Sequence, residues 1–203
     1  MIIKKFEDDE EWLEARRTKI TGTRLKDIVV LRGTNEKEEF YNLIAERLAK
    51  PREKGIKPMD RGHLLEVDAI NKCEEELGKT FNKDLVMWSR EDNECISISP
   101  DGYLDNLTEA CEVKCLGSGK QLKAIILNEI PDDFKFQCLQ YFIVNDLLTT
   151  LHFVMYDPDL PDNLSYKRFE IKRTDIQEDI EKYLEYQRKK LEEINQIVIK
   201  LSY

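Results

Sequence analysis

Ser99-Pro100-Asp101-Gly102-Tyr103-Leu104-Asp105-Asn106-Leu107-Thr108-Glu109-Ala110-Cys111-Glu112-Val113-Lys114-Cys115 combines a turn with a strand. Pro100 presets one backbone angle and Gly102 supplies a permissive one, so a turn is predicted there, and residues from Ala110 to Cys115 read as a short buried strand. Glu112 and Lys114 are two positions apart and share one face of that strand, while Val113 points the other way. A charged pair on an inward face is costly unless it is compensated. The turn brings Asp101 back beside Glu112, and two converging carboxylates repel each other unless a divalent cation sits between them. Magnesium suits hard oxygen donors and keeps positions for water and phosphate. The plainer alternative is a surface hairpin with a cross-strand ion pair, which contributes little.

Outward from this stretch, Asp84 to Trp88 and Cys95 to Ile98 are strand-like, joined by the polar turn from Arg90 to Glu94. Three or four consecutive strands are thus predicted to form the platform for the acids. Downstream, Gly117-Ser118-Gly119 ends the sheet segment, and Lys120 and Lys123 open a helical stretch. Pro131 to Leu148 reads as a strong helix with proline and aspartates at its start. Its body from Phe134 to Leu147 is largely apolar, and Gln137 and Gln140, adjacent on one face, suggest a buried partner, the plainer alternative being a solvated stripe. Thr150 to Tyr156 and Tyr166 to Ile171 read as strands around a turn at Asp157 to Asp162. Asp175 to Ile199 is a long helix with Ile176, Ile180, Tyr183, Leu184, Leu191 and Ile194 recurring at three to four residues.

Upstream, Gly62 to Leu77 reads as a helix closed by Gly78 and carrying Glu66, with His63 a turn earlier as a candidate for substrate or metal. Glu36 to Ala49 is a further helical run, and Lys50 to Arg61 is a loop in which five basic residues outnumber two acids. Such a loop can touch phosphates. Asp8 to Thr18 reads as the first helix, with acids in its first turn. Arg16, Arg17, Lys19, Arg24 and Lys26 surround the break Ile20-Thr21-Gly22-Thr23, where guanidinium, hydroxyl and amide groups could meet a phosphate.

The chain has 203 residues, 41% hydrophobic and 36% charged, which is long enough for one sizeable core. No apolar run approaches a membrane span and no signal peptide is evident, so a cytoplasmic location is expected, the host cytoplasm if the gene is phage-borne. The five cysteines lack the Cys-x-x-Cys spacing of a zinc ribbon and are read as reduced core residues. A net charge of −9 argues against a protein that coats nucleic acid, though not against a local basic channel.

In order along the chain, Trp12-x-x-x-Arg16, Ile20-Thr21-Gly22-Thr23, Gly62-x-x-x-Glu66, Ser99-Pro100-Asp101-Gly102, Glu112-Val113-Lys114-Cys115, Gln140-Tyr141 and Tyr156-Asp157-Pro158 resemble the phage lambda exonuclease, or YqaJ-like viral recombinase, family. That family lies within the restriction-endonuclease-like superfamily. The resemblance implies an α/β fold with a central mixed β-sheet flanked by helices, as one nuclease domain over 1–203. Its core would span about 62–171, with a helical N-terminal part at 1–61 and a C-terminal helix at 174–200. It implies a magnesium-dependent exonuclease, manganese able to substitute, that digests the 5′-ended strand of linear duplex DNA and leaves 3′ single strands for recombination. By the same resemblance Asp101 and Glu112 ligate metal with the Val113 carbonyl, Lys114 orients or deprotonates the attacking water, and Glu66 supports the metal. Gln140 positions water or the scissile phosphate, and Arg16 or Arg17, with Thr21 and Thr23, holds the 5′ phosphate. A homotrimeric ring and a single-strand annealing partner are also implied. Alternative readings are an endonuclease or junction resolvase on the same core, or a non-catalytic module binding DNA ends.

Overall fold

A computed structural model describes residues 1–31, 37, 39–40, 43–44, 60–116 and 118–202, without the side chains of 60–64. Residues 50–59 of the basic loop expected at 50–61 and the His63 side chain lie outside the described residues, as does most of the helical run expected at 36–49, while residues 60 and 61 are helical rather than loop.

Glu109–Lys114 (β5) and Thr150–Tyr156 (β6) pair in parallel at the centre of a four-stranded sheet, with Glu112 opposite Phe153 and Lys114 opposite Met155. Parallel neighbours need a crossover connection. Two helices supply it here, α4 (Ser118–Leu127) and α5 (Asp132–Val144). Gly102–Tyr103 (β4) pairs antiparallel with β5 on one side, and Tyr166–Lys172 (β7) pairs antiparallel with β6 on the other. Six of the seven β6 residues are buried, as an apolar strand covered on both faces requires. Helix α3 (Asp60–Leu77) covers one face, where Ala69, Ile70 and Cys73 pack with Cys111, Val113 and Val154. Helix α5 covers the other, and Phe134 stacks over Phe153 at 5.7 Å.

The expected run of consecutive strands divides instead between two sheets. Val86–Ser89 (β2) and Ser97–Ile98 (β3) belong to a separate antiparallel sheet whose outer strand is Ile2–Lys5 (β1). β1 is exposed along its length and shows no alternation, so nothing in its sequence marked it; backbone pairing with β2 makes it a strand. The N-terminal helices are α1 (Asp9–Arg16) and α2 (Gly22–Ile28). A short α6 (Asp162–Ser165) takes the place of part of the expected turn before β7. After one turn of 3₁₀ helix, α7 (Gln177–Ser202) runs through the region predicted from its periodicity.

Helix α5 stops at Val144, four residues before its expected end at Leu148. The reason is polar. Arg173 donates to the carbonyls of Phe142 (2.8 Å), Asn145 (2.5 Å) and Leu148 (2.7 Å), and Arg90 donates to that of Ile143 (2.5 Å). The last carbonyls of a helix have no partner within it, and a cation there also suits the helix dipole. Arg173→Ala should leave several half-buried carbonyls unpaired and cost about 3 kcal/mol of stability. Chemical denaturation measures this directly, and a loss below ~0.5 kcal/mol would show that water replaces the guanidinium.

The body of α5 is bound to α7. Gln140 and Gln187, both fully buried, exchange amide hydrogen bonds at 3.1 and 2.9 Å, and Phe136 meets Tyr183 edge-on at 5.1 Å.

Candidate active site

The turn before β4 and the C-terminal half of β5 set the acids in place. Asp101 Oδ2 accepts a 2.7 Å hydrogen bond from the Val113 amide, fixing the turn against the strand. Glu112, next to it on the strand, projects toward α5 and is only 1% exposed. Three donors compensate its burial. Lys114 pairs with Oε1, Gln137 donates to Oε1 at 2.6 Å, and Tyr141 donates its hydroxyl to Oε2 at 2.5 Å. The Tyr141 hydroxyl oxygen also lies 3.3 Å from the Ser99 carbonyl, so α5 touches both the turn and the strand.

Electrostatics follow from this crowding. Burial, then the neighbouring charges of Glu112 and Glu66, push the Asp101 carboxyl well above its ordinary range, against the opposing pull of Lys114 and the Val113 amide. Burial would lower Lys114, but Glu112 and Asp101 outweigh it and hold the ammonium charged. Burial and the same two acids raise the Tyr141 phenol, which therefore stays protonated as a donor. Glu66, half-buried on α3, contributes to the negative potential at Asp101 and Cys115.

A second group adjoins the first. Arg16 stacks on the Trp12 ring, 4.2 Å from its centroid, and donates to Thr23 Oγ1 at 3.4 Å. The Thr21 and Thr23 hydroxyls lie 3.3 Å apart, with Thr21 buried behind and Thr23 at the surface. Burial lowers the Arg16 guanidinium from its ordinary value, while Glu112 and Asp101 are close enough to oppose that shift. Arg17 turns elsewhere and pairs with Glu14 at 3.4 Å. Arg16 thus lies near the acids and contacts Thr23, while Arg17 ends α1.

Gln140 corrects a sequence expectation. Its amide nitrogen lies within hydrogen-bond distance of the Ile20 carbonyl (3.1 Å), the Ser97 carbonyl (3.3 Å) and Gln187, and its side chain is fully buried, so it is engaged with these groups rather than with Glu112. Gln137 occupies the site instead. Gln137 and Tyr141 are four residues apart and share a helical face, which was the available signal. Gly22 makes the arrangement possible: a Cβ there would stand 2.2 Å from Ile98 Cδ1 and 3.1 Å from Gln137 Cγ. Gly22→Ala should therefore displace Gln137 and reduce turnover more than tenfold, with about 1–3 kcal/mol of overpacking strain. Thermal unfolding and single-turnover assays on the same variant check both, and unchanged turnover would show that Gln137 tolerates the shift.

Among the described residues no group of three His, Cys, Asp or Glu side chains forms a ready cage for a metal ion. Two adjacent carboxylates are nevertheless hard oxygen donors of the kind that magnesium uses. The repulsion that raises Asp101 is what a hard cation would relieve.

The sequence pattern of the YqaJ-like viral recombinase domain matches residues 11–151. The structure resembles an alkaline exonuclease from Laribacter hongkongensis, with TM-score 0.77 and 25% identity over 95% of this chain and 98% of that one. The complex of that exonuclease with dAMP matches with TM-score 0.78, at the same identity and coverage. A phage-related exonuclease from Haemophilus somnus shares the fold, with TM-score 0.62 and 14% identity over 90% and 96% of the two chains. No curated protein matches the sequence.

Proposed function

Because the chain belongs to the YqaJ-like viral recombinase family, we propose that it is a magnesium-dependent exonuclease digesting the 5′-ended strand of linear duplex DNA, leaving 3′ single strands for recombination. The observation that carries this reading is the buried Glu112 carboxylate, held by Lys114, Gln137 and Tyr141 beside a second, like-charged acid at Asp101. A structural ion pair has no use for a second carboxylate placed against it. The dAMP held by the Laribacter enzyme is a deoxynucleoside monophosphate, the product class that stepwise digestion releases.

Asp101, Glu112 and the Val113 carbonyl are the groups that would hold magnesium, with Glu66 behind them. The chemistry such an ion would supply there is the acidifying of water and the screening of charge that develops on phosphate oxygens. This chain's own contribution is positional. Tyr141 and Gln137 fix the Glu112 rotamer, the Lys114 ammonium orients the attacking water, and Arg16 with Thr23 receives the terminal phosphate, Thr21 bracing Thr23 from behind. Preorganised charge of this kind is worth on the order of 10²–10³ in rate per group.

The deciding experiment offers linear duplex and covalently closed circles with magnesium, manganese or chelator. Release of mononucleotides from 5′ ends of the linear form alone supports the reading. Cleavage of circles would make it an endonuclease or resolvase, and DNA binding without release would make it an end-binding module. A homotrimeric ring around DNA and cooperation with an annealing protein belong to the same reading, in the cytoplasm of a host cell. The net charge of −9 leaves cations such as Arg16 and Lys114 to act locally at the site. Sedimentation as a monomer would remove the ring.

A further inference from the structure

We infer that Trp12 is a positioning residue that couples the terminal-phosphate pocket to the catalytic turn, so that discrimination between phosphorylated and hydroxyl DNA ends passes through its indole. The inference rests on the reading of Arg16 and Thr23 as the phosphate pocket.

Trp12 does two separate things with one side chain. Its ring face lies under the Arg16 guanidinium, 4.2 Å from centroid to Cζ, and its edge donates Nε1–H to Ser99 Oγ at 2.9 Å. Ser99 stands two residues before Asp101, and its carbonyl lies 3.3 Å from the Tyr141 hydroxyl, whose single proton goes to Glu112 at 2.5 Å. A sequence of contacts therefore runs from Thr23 through Arg16 and Trp12 to Ser99, and from there along the turn to Asp101 and across to Tyr141 and Glu112. The links from Thr23 to Ser99 are a hydrogen bond, a stacking contact and a second hydrogen bond.

Helix α1 gives this arrangement its consequence. It has no fully buried residue, so little apolar packing holds it in place. Trp12 joins it to a turn 87 residues away in sequence. A phosphate drawn to Arg16 would pull on a helix fixed through the same indole that braces Ser99. Filling the pocket then tightens the turn bearing Asp101, and an end lacking phosphate leaves it looser. Orientation of this kind acts on the chemical step more than on binding.

The two functions of the indole separate by substitution. Trp12→Phe keeps a ring under Arg16 and removes the N–H, and Ser99→Ala removes the acceptor while leaving Trp12 whole. Each should lower kcat on 5′-phosphorylated duplex about tenfold, the usual order for one lost hydrogen bond at a preorganised site, with KM changed less than twofold. The ratio of rates on 5′-phosphate and 5′-hydroxyl ends should shrink correspondingly, and the double variant should be no worse than either single one. Arg16→Ala, by contrast, should raise KM on phosphorylated ends. If both single variants slow the two kinds of end equally, or leave the ratio intact, Trp12 is merely structural and the inference fails. Wild-type protein that digests both ends alike would overturn the phosphate pocket and this inference while leaving the nuclease. Wild-type protein inert on either end would overturn the nuclease reading and the inference together.

Discussion

Glu112→Gln should lower the single-turnover rate of DNA digestion by on the order of 10³-fold or more, the largest loss expected from any neutral isosteric change in the chain. All three groups that contact this carboxylate are donors: Lys114 and Gln137 on one oxygen, Tyr141 on the other. An amide at this position must set its own N–H₂ against one of them. The variant should therefore also lose about 1–3 kcal/mol of stability, the range for a buried donor left without an acceptor. Lys114→Ala makes an informative comparison. It should slow digestion by on the order of 10²–10³, yet Glu112 keeps Gln137 and Tyr141 and the fold should change less. Digestion within tenfold of wild type for Glu112→Gln would remove this residue from the chemistry.

Asp101→Asn should have two effects of opposite sign. Activity should fall by on the order of 10³, because one of two cation-facing carboxylates is lost. Stability without divalent ions should rise. Burial and the charges of Glu112 and Glu66 hold the Asp101 carboxyl well above its ordinary range. For a carboxyl raised by folding, the stabilisation is fully present below the pKa of the unfolded chain and is lost as pH rises through the raised value. Asparagine carries no such charge and still accepts the Val113 amide. In chelator the variant should melt a few degrees above wild type, since ~1 kcal/mol shifts Tm by about 2–4 °C in a chain of this size. Magnesium should raise the wild-type melting temperature more at higher pH and leave the variant almost unchanged. A wild-type magnesium shift independent of pH would contradict the assignment of the repulsion to Asp101.

These groups differ in how far the sequence reveals them. The spacing of Glu112 and Lys114 fixes a common face once β5 is a strand, and the Pro100–Gly102 turn places Asp101 beside them. The architecture of α7 is likewise legible, because its apolar residues recur on one stripe. Helix α5 is different. Residues 138–144 are buried without interruption, since the helix is enclosed by the sheet, α2 and α7. A helix apolar all round carries no signal of which face turns toward which neighbour. Gln137 and Gln140 were therefore equivalent in the sequence, and packing alone sent one to Glu112 and the other to Gln187. The arginines were more separable than they looked: Trp12 and Arg16 stand four apart on α1, which places them on one face, whereas Arg17 is turned by about 100°.

The amide pair between Gln140 and Gln187 has a temporal consequence. Translation reaches position 187 long after the carboxylates, the lysine and the phosphate pocket have been made. Until then α5 packs on α2, β3 and β6, and the Gln140 amide lacks one of its buried partners. A nascent chain still on the ribosome thus holds the whole cluster around Glu112 before the last buried amide pair closes behind it. A chain interrupted before that helix should leave the Gln140 amide, buried in the complete fold, with a partner missing.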